Sequence, residues 1–249
     1  MQLDKAPIPL IASYTDFGSS GPYQGQMHAV IATQAPRVPR VKLMADAPMF
    51  DPQSAGILLS CLCNNLPAQT LVLAVVDPGV GGDRRPIMIS SDKHCFVGPD
   101  NGLFVPEVHH SGHCEIEVID WRPPHLSNSF HGRDLFAPVA AGLATGKEIS
   151  GIPIKPNDLV GYDSPIDKNR IIYQDNYGNA MTGIDAGTVG DDNILTVNGT
   201  ALHHARTFSE VPAGQPFWYR NSIGLVEFAV NRGNASRLLN LEPGMPVRL

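Results

Sequence analysis

The sequence has few cysteines and no excess of basic residues. Four cysteines occur in 249 residues, at spacings that fit no zinc-binding pattern. We therefore expect reduced, buried thiols rather than disulfides or a metal site. There are 18 Lys and Arg against 24 Asp and Glu, a net charge of −6 without a basic stripe, which argues against a nucleic-acid partner. The cysteines are Cys61, Cys63, Cys95 and Cys114.

Long apolar runs are also missing. None reaches the roughly 20 residues that a membrane-spanning helix needs. Residues 1–5 lack the charged-then-apolar order of a secretory signal peptide. These features predict a cytoplasmic protein that does not bind or span a membrane. The 43% hydrophobic content is sufficient for a packed core in one large domain or two moderate ones.

Strand-like and helix-like segments alternate over residues 1–150. The run at 70–76 is continuously apolar and rich in β-branched residues, which is typical of a strand covered on both faces. Residues 54–66 form an apolar helical pattern that begins just after Asp51, a favourable N-cap residue. Residues 135–144 predict a further helix. The alternation predicts an α/β domain with a largely parallel sheet.

The character of the sequence changes after residue 150. Residues 151–165 contain several prolines and glycines and are expected to form a linker. Short strand-like runs separated by turn residues follow over residues 166–249. They predict a smaller C-terminal all-β, barrel-like domain. We therefore expect two domains, at 1–150 and 166–249.

Two acidic residues come at the ends of predicted strands. Asp16 follows the apolar run at 8–14, and Asp77 follows the run at 70–76. Because ligands of open α/β sheets bind outside the carboxyl ends of the strands, the two carboxylates are candidates for one shared crevice. The alternative is that each caps a nearby turn by accepting backbone N–H groups.

A glycine-rich segment and a histidine add to these candidates. Residues 78–82 lack the Lys-Ser/Thr ending of a phosphate-binding loop. Their glycines are instead expected to bring the backbone close to a ligand and to turn the chain so that Arg84 points back toward Asp77. His131 stands shortly before Asp134, the expected N-cap of the next predicted helix.

Short motifs in a fixed order carry a resemblance to a known family. They read Thr-Asp-Phe-Gly at 15–18, Asp-Pro-Gly-Val-Gly-Gly-Asp-Arg-Arg at 77–85, Pro-Asp-Asn-Gly at 99–102, Phe-His-Gly-Arg-Asp at 130–134, Tyr-Gly-Asn at 177–179 and Asn-Ser-Ile-Gly at 221–224. Together they resemble the S-adenosylmethionine (SAM) hydroxide adenosyltransferases, relatives of the fluorinase and chlorinase. The resemblance covers nearly the whole chain.

The resemblance implies both an activity and an architecture. The activity is hydrolysis of SAM to adenosine and methionine, with SAM as substrate and no metal or organic cofactor. The architecture is an N-terminal α/β domain followed by a C-terminal β-barrel. The implied assembly is a homotrimer whose active sites lie between subunits.

The resemblance also implies which residues form the site. Asp77, Arg84 and His131 would activate the attacking water, and either Asp77 or His131 would take its proton. The sulfonium leaving group is already cationic and needs no general acid. Asp16 would accept hydrogen bonds from both ribose hydroxyls. The implied substrate-binding residues are Asp16, Tyr23, Phe50, Tyr177, Asn179, Asn221, Ser222 and Arg232.

Three other functions stay open. A SAM-dependent halogenase is disfavoured, because the halogenase relatives have tyrosine at the position of Asp77 and Tyr-Ser in place of His131 and Gly132. They also carry a long insertion before the segment that begins at Pro99. A non-catalytic SAM- or adenosine-binding protein stays open because Gly21 stands where the family usually has an aspartate that contacts the methionine amino group. The third is an enzyme that processes other nucleosides.

Overall fold

The computed structural model describes residues 8–249, so the prediction made from residues 1–5 lies outside it. The chain divides into two compact units, one ending at Ser164 and the other covering Pro165–Leu249. Within the described part, no helix has both the length and the apolar character needed to cross a membrane.

A seven-stranded sheet forms the centre of the first unit. Its strands are β1 (Ile11–Thr15), β2 (Arg40–Met44), β3 (Leu71–Val75), β4 (Pro86–Ser91), β5 (Cys95–Pro99), β6 (Cys114–Ile119) and β7 (Gly151–Ile154), in the spatial order β2-β1-β3-β5-β4-β6-β7. Strands β2, β1, β3 and β5 pair in parallel, whereas β4, β6 and β7 join by antiparallel pairing. The predicted α/β class is confirmed, and its parallel half carries both predicted strand-end aspartates.

Helices cover both faces of this sheet. They are α1 (Pro22–Gln34), α2 (Pro52–Cys63), α3 (Val105–His110) and α4 (Ala137–Ala144). Helices α1 and α4 bury one face, which includes Ile11 and Leu73, in a common core. On the other face the hydroxyl of Tyr14 donates to the carbonyl of Ala55 in α2 at 2.8 Å. Double coverage explains why every residue of β3 is buried and apolar.

Of the two predicted N-cap residues, Asp51 and Asp134, only the first caps a helix. Asp51 caps α2 as predicted, since its Oδ1 accepts the backbone N–H of Ser54 at 3.0 Å. The prediction for Asp134 is wrong, because the chain is already helical there, in a π-helical turn over Gly132–Phe136 that continues into α4. Its carboxylate instead accepts the backbone N–H of Ser127 at 3.0 Å.

The segment expected to be a linker is partly ordered structure. Its first four residues form strand β7, which pairs with β6 from Ile116↔Ile154 to Ile119↔Gly151. A single turn of 3-10 helix follows at Pro156–Asp158. The proline content that indicated a linker is tolerated because β7 is an edge strand, where a missing N–H costs no ladder bond.

The second unit consists of two antiparallel sheets and one short helix. Its elements are β8 (Ile171–Gln174), β9 (Ala180–Asp185), β10 (Leu195–Val197), β11 (Thr200–Leu202), β12 (Pro216–Arg220), β13 (Leu225–Val230), α5 (Ala235–Leu238) and β14 (Val247–Arg248). The sheet orders are β12-β13-β9-β8 and β11-β10-β14. Bridges His204↔Trp218 and Arg170↔Pro246 join the two sheets at both edges, so the predicted barrel-like form is confirmed.

Candidate active site

A cavity of about 440 Å³ opens at the carboxyl ends of β1 and β3. Asp16 comes directly after β1 and Asp77 comes shortly after β3, and both line the cavity. The position follows from parallel pairing of the two strands, which brings their carboxyl ends to one edge. The lining residues are Asp16, Phe17, Tyr23, Met49, Phe50, Val75, Asp77, Val80, Ser129, Phe130, His131 and Gly132.

One wall of this cavity carries a hydrogen-bonded trio. Arg84 donates through Nε to both carboxylate oxygens of Asp77, at 3.0 Å and 2.9 Å, and through Nη2 to Oδ2 at 2.6 Å. The same Nη2 lies 2.7 Å from Nδ1 of His131. The side chains of Asp77 and Arg84 are 5% and 9% exposed, and the guanidinium stacks 5.0 Å from the ring centre of Phe136. Little freedom remains for Arg84 to leave this arrangement.

The contact with Arg84 decides the state of the imidazole. A guanidinium only donates, so Nδ1 of His131 must accept, and the proton of the neutral ring lies on Nε2. Burial, followed by the positive charge of Arg84, lowers the pKa of His131 below its ordinary value of 6.5, against a smaller opposing effect of Asp77. His131 is therefore held as a neutral ring with an N–H donor at Nε2.

Asp16 lies in a different setting from Asp77. Burial raises the pKa of its carboxyl above the ordinary 3.8, the backbone N–H of Phe50 lowers it, and the charge of Asp77 adds a smaller increase. The N–H of Phe50 donates to Oδ2 at 3.4 Å. Phe50 itself has φ 57° and is 72% exposed. A residue other than glycine is uncommon in the left-handed region of φ and ψ. Backbone strain of this kind concentrates at ligand-binding positions.

Glycines shape the loop that delivers Arg84. Gly81 has φ +80°, and a β-carbon there would overlap the carbonyl oxygen of Asn128. Close backbone packing within the protein is therefore the reason for this glycine. The tight turn is closed by Val80 N–H to Asp77 O at 3.2 Å, and Arg84 points back to Asp77 as the sequence predicts.

Aromatic rings form an apolar wall beside the carboxylates. The rings of Phe17, Tyr23 and Phe130 pack in edge-on or tilted pairs with centres 5.2 to 5.8 Å apart. Tyr23 remains 49% exposed. An apolar wall next to charged groups lowers the local dielectric, which strengthens electrostatic interactions inside the cavity.

The second unit has a cavity of its own, of about 730 Å³. It contains three of the predicted binding residues: Tyr177 is 79% exposed, Asn179 is buried, and Arg232 has a strained φ of 55°. The remaining lining residues were missed by sequence reasoning and are Asp175, Phe208, Tyr219, Val230, Gly233 and Asn234.

Asn221 and Ser222 line neither of these two cavities. The Oδ1 atom of Asn221 accepts the backbone N–H groups of Ile223 at 3.1 Å and Leu225 at 2.9 Å, which closes the turn between β12 and β13. Its Nδ2 donates to Glu227 at 2.8 Å. Ser222 is exposed. Their role in substrate binding stays a prediction.

None of the four cysteines, all of which lie among the described residues, takes part in a disulfide, and the expectation that they are buried holds for two of them. Cys63 and Cys95 are buried, whereas Cys61 and Cys114 are partly exposed. Burial raises the pKa of Cys95 to about 11, so this thiol carries no thiolate at neutral pH. Within residues 8–249, no group of three or more potential metal ligands is found.

Comparison with known proteins identifies the family of this chain. The SAM hydroxide adenosyltransferase N-terminal domain matches residues 11–153, and the C-terminal domain of the same family matches residues 169–248. A protein named (R)-S-adenosyl-L-methionine hydrolase from Thermus thermophilus is 37% identical, over 94% of this chain and 97% of the relative. One of the same name from Salinispora arenicola is 33% identical over 98% of both chains.

Solved structures show the same architecture. The crystal structure of an uncharacterized conserved protein from Thermotoga maritima superimposes with a TM-score of 0.83 at 29% identity, over 96% of this chain and 99% of that one. A conserved hypothetical protein from Thermus thermophilus gives a TM-score of 0.79 at 34% identity, over 97% of this chain and 100% of that one. Fold and site thus define a two-unit protein with a carboxylate-lined cavity. The chain belongs to the SAM hydroxide adenosyltransferase family.

Proposed function

We propose that this chain hydrolyses (R)-S-adenosyl-L-methionine to adenosine and methionine by attack of water on C5′. The observation that carries the proposal is the Asp77–Arg84–His131 trio on the wall of a cavity that also contains Asp16. Relatives with the hydrolase name over nearly their full length support the same reaction.

The proposed step needs a base and no acid. Water has a pKa of about 15.7, so free hydroxide is scarce at neutral pH. The water oxygen forms a bond to C5′, the C5′–S bond breaks, and its electron pair returns to the methionine sulfur. One proton of the attacking water stays on the new 5′-hydroxyl group, and the other is transferred to the protein. A positioned base contributes about 10²–10⁴-fold to such a step.

Asp77 is the proton acceptor in this proposal. Nδ1 of His131 is occupied by Arg84 and its Nε2 is a donor, so the imidazole has no free acceptor. Oδ2 of Asp77 takes two bonds from Arg84, at 2.9 Å and 2.6 Å, whereas Oδ1 takes one at 3.0 Å and keeps a free lone pair. His131 would donate through Nε2 to the water oxygen and hold it in line.

The substrate contacts of the proposal follow the two cavities. In the first, the two oxygens of Asp16 are suited to accept both ribose hydroxyls. The proposed contacts are Asp16, Tyr23 and Phe50 in the first cavity, Tyr177, Asn179 and Arg232 in the second, and Asn221 and Ser222 at the adenine edge.

The test is product analysis with isotopically heavy water. Purified protein is incubated with SAM in water enriched in heavy oxygen, with and without chloride, and the products are separated by chromatography. Heavy oxygen in the 5′-hydroxyl of adenosine, independent of chloride and lost in Asp77→Ala, is the expected result. A 5′-chloro product would assign a halogenase. Unchanged SAM with measurable binding would assign a non-catalytic binding protein, and turnover of other nucleosides alone would assign a different enzyme.

No metal or organic cofactor takes part in the proposed reaction, because the sulfonium leaves without assistance. Extensive dialysis against a chelator is expected to leave the rate unchanged; loss of activity that is restored by one metal ion would contradict this. We also propose a cytoplasmic location, which the four cysteines support because none of them takes part in a disulfide and disulfides are rare in that compartment.

The proposed assembly is a homotrimer whose sites combine the first cavity of one copy with the second cavity of another. Exposed aromatic side chains at the cavities support this: Phe50 and Tyr23 in the first unit and Tyr177 in the second. Such surfaces usually lie at interfaces.

Complementation tests the shared site. Variants Asp77→Ala and Asn179→Ala are each expected to be inactive, and co-expressing them should restore part of the activity, since mixed oligomers contain sites with both halves intact. Light scattering gives the mass. A monomeric mass with full activity, or no recovery in mixed oligomers, would overturn the assembly.

A further inference from the structure

Glu227 is a charged residue in the middle of an apolar strand. It lies on β13, whose six residues are all buried, and its own exposure is 1%. Its cross-strand partner on β12 is Tyr219, which lines the second cavity. A carboxyl group is rarely buried this deeply unless polar groups around it form hydrogen bonds or ion pairs with it.

Polar side chains from three segments surround this carboxyl group, and one of them donates a hydrogen bond to it. The Nδ2 atom of Asn221 donates to Oε2 at 2.8 Å. The hydroxyl of Tyr219, its cross-strand partner, and the side-chain amide of Asn179 lie near enough to lower the pKa of this carboxyl group. Glu227 therefore connects strand β12, the turn that follows it and the start of β9.

The amide of Asn179 is fixed by this network. Its Nδ2 also donates to Oδ2 of Asp175 at 3.0 Å, and its backbone N–H donates to Oδ1 of Asp175 at 2.8 Å. The NH₂ end of the amide therefore faces the carboxylate of Asp175, and Oδ1 lies at the opposite end. That oxygen is buried and has no hydrogen-bond partner among the described residues. Asn179 itself lines the second cavity, so the orientation of its side chain shapes the surface that a ligand would meet there.

We propose that Glu227 is a positioning residue of the second cavity, which holds Tyr219 and the amide of Asn179 in the orientation that binds substrate. This inference rests on the proposed function, in which that cavity receives part of SAM. Glu227 does not line the cavity itself and acts through the residues that do.

The energetics agree with a role other than stability. Burial raises the pKa of Glu227 above the ordinary 4.5, the hydrogen bonds from Asn221, Tyr219 and Asn179 lower it, and the charge of Asp175 raises it. A buried carboxyl group that is partly opposed by a neighbouring carboxylate is a poor stabiliser compared with an apolar side chain of similar size. The orientation of the polar groups around it is what an apolar side chain would not provide.

The experiment compares Glu227→Gln with Glu107→Gln in the full chain. Glu107 is the matched control: it is also buried, burial also raises its pKa, and it lines neither cavity. Glu227→Gln replaces one of the two acceptor oxygens by an NH₂ donor, so a single acceptor remains for the polar groups around it. KM for SAM is expected to rise about tenfold in Glu227→Gln with kcat within about twofold, and Glu107→Gln should change neither.

Thermal unfolding and adenosine binding by calorimetry are measured on the same variants. A KM unchanged within about twofold in Glu227→Gln, or raised equally in Glu107→Gln, would overturn the positioning role. Tyr219→Phe, which removes one donor and keeps the ring, should raise KM in the same direction if Glu227→Gln does not fold. If the wild type binds adenosine without hydrolysing SAM, the proposed function fails. The positioning role is then judged by adenosine binding alone: weaker binding in Glu227→Gln than in the wild type and Glu107→Gln supports it, and equal binding overturns it.

Discussion

Replacing Asp77 by asparagine removes the proposed base and the negative charge that pairs with Arg84, but keeps the shape of the side chain. The asparagine side chain keeps the shape but has one acceptor oxygen and one donor NH₂. In the wild type, Arg84 donates to both carboxylate oxygens of Asp77, and its shortest hydrogen bond, 2.6 Å, is to Oδ2. The amide oxygen is therefore expected to face Arg84, and the NH₂ takes the place of Oδ1. The group that faces the attacking water becomes a donor and no longer accepts its proton.

The magnitude follows from the loss of the base. A fall in kcat of at least about 100-fold is expected, equivalent to roughly 2.7 kcal/mol on the barrier. KM should change by less than about threefold, because in the proposed reaction Asp77 acts on water and not on the adenosyl group. Stability should also fall by about 1–3 kcal/mol, since Arg84 exchanges charged hydrogen bonds for neutral ones in a buried site.

Asp100→Asn is the matched control for that loss of stability. Asp100 is equally buried and pairs with Arg85, whose Nε donates to Oδ2 at 2.8 Å, and it lines neither cavity. It should lose comparable stability and keep kcat within about threefold. Rates are measured as adenosine release at saturating SAM, and unfolding is followed in urea. If Asp77→Asn keeps kcat within about fivefold of the wild type, Asp77 is not the base.

Three further results are expected. Gly81→Ala should destabilise the protein by more than about 2 kcal/mol and Gly146→Ala by about 1 kcal/mol, because both glycines have φ near +80° but only the first would place its β-carbon against backbone; equal losses in urea unfolding would contradict this. Activity should persist to below pH 6.5 and fall as His131 becomes protonated, since burial and Arg84 lower its pKa; a pH–rate profile with an acid limb above 6.5 would exclude this. Burial raises the pKa of Glu107, so its contribution to stability is present below about pH 4.5 and is lost as pH rises through the folded pKa; Glu107→Gln should flatten that part of the stability–pH curve, and an unchanged slope would refute it.

Much of the first unit was predictable because its strands are covered on both faces. The run at 70–76 is apolar at every position after Thr70, and the observed strand, Leu71–Val75, lies inside it. Its carboxyl end then placed Asp77 without further information. Helix α3, Val105–His110, was missed because it is only six residues long and leaves no clear periodic pattern. The order of the strands depends on long-range pairing that local patterns do not encode.

The second cavity was harder to predict for a related reason. Tyr177 and Asn179 were named from a short motif, but their neighbour Tyr219 comes from a strand about 40 residues further along the chain, which pairs with β13. A signal for Glu227 was nevertheless present. A single acidic residue inside the run Leu-Val-Glu-Phe-Ala-Val contradicts the apolar pattern, and a buried acid in such a strand indicates a polar network.

The neighbouring arginines show where sequence reasoning reaches its limit. Arg84 and Arg85 are chemically identical, and each pairs with a buried aspartate at a strand end, Asp77 and Asp100. Only Arg84 reaches a cavity-lining carboxylate; Arg85 instead donates to the carbonyl of Asp158 at 2.5 Å and holds the chain that follows β7. Adjacent side chains of an extended segment point to opposite sides, so one step in the chain separates an arginine at the proposed catalytic site from one that holds a loop. Exchanging their roles would require a shift of the chain by one residue. The close packing of Gly81 against Asn128 and the pairing of β4 with β5 from Pro86↔Pro99 onward both oppose such a shift.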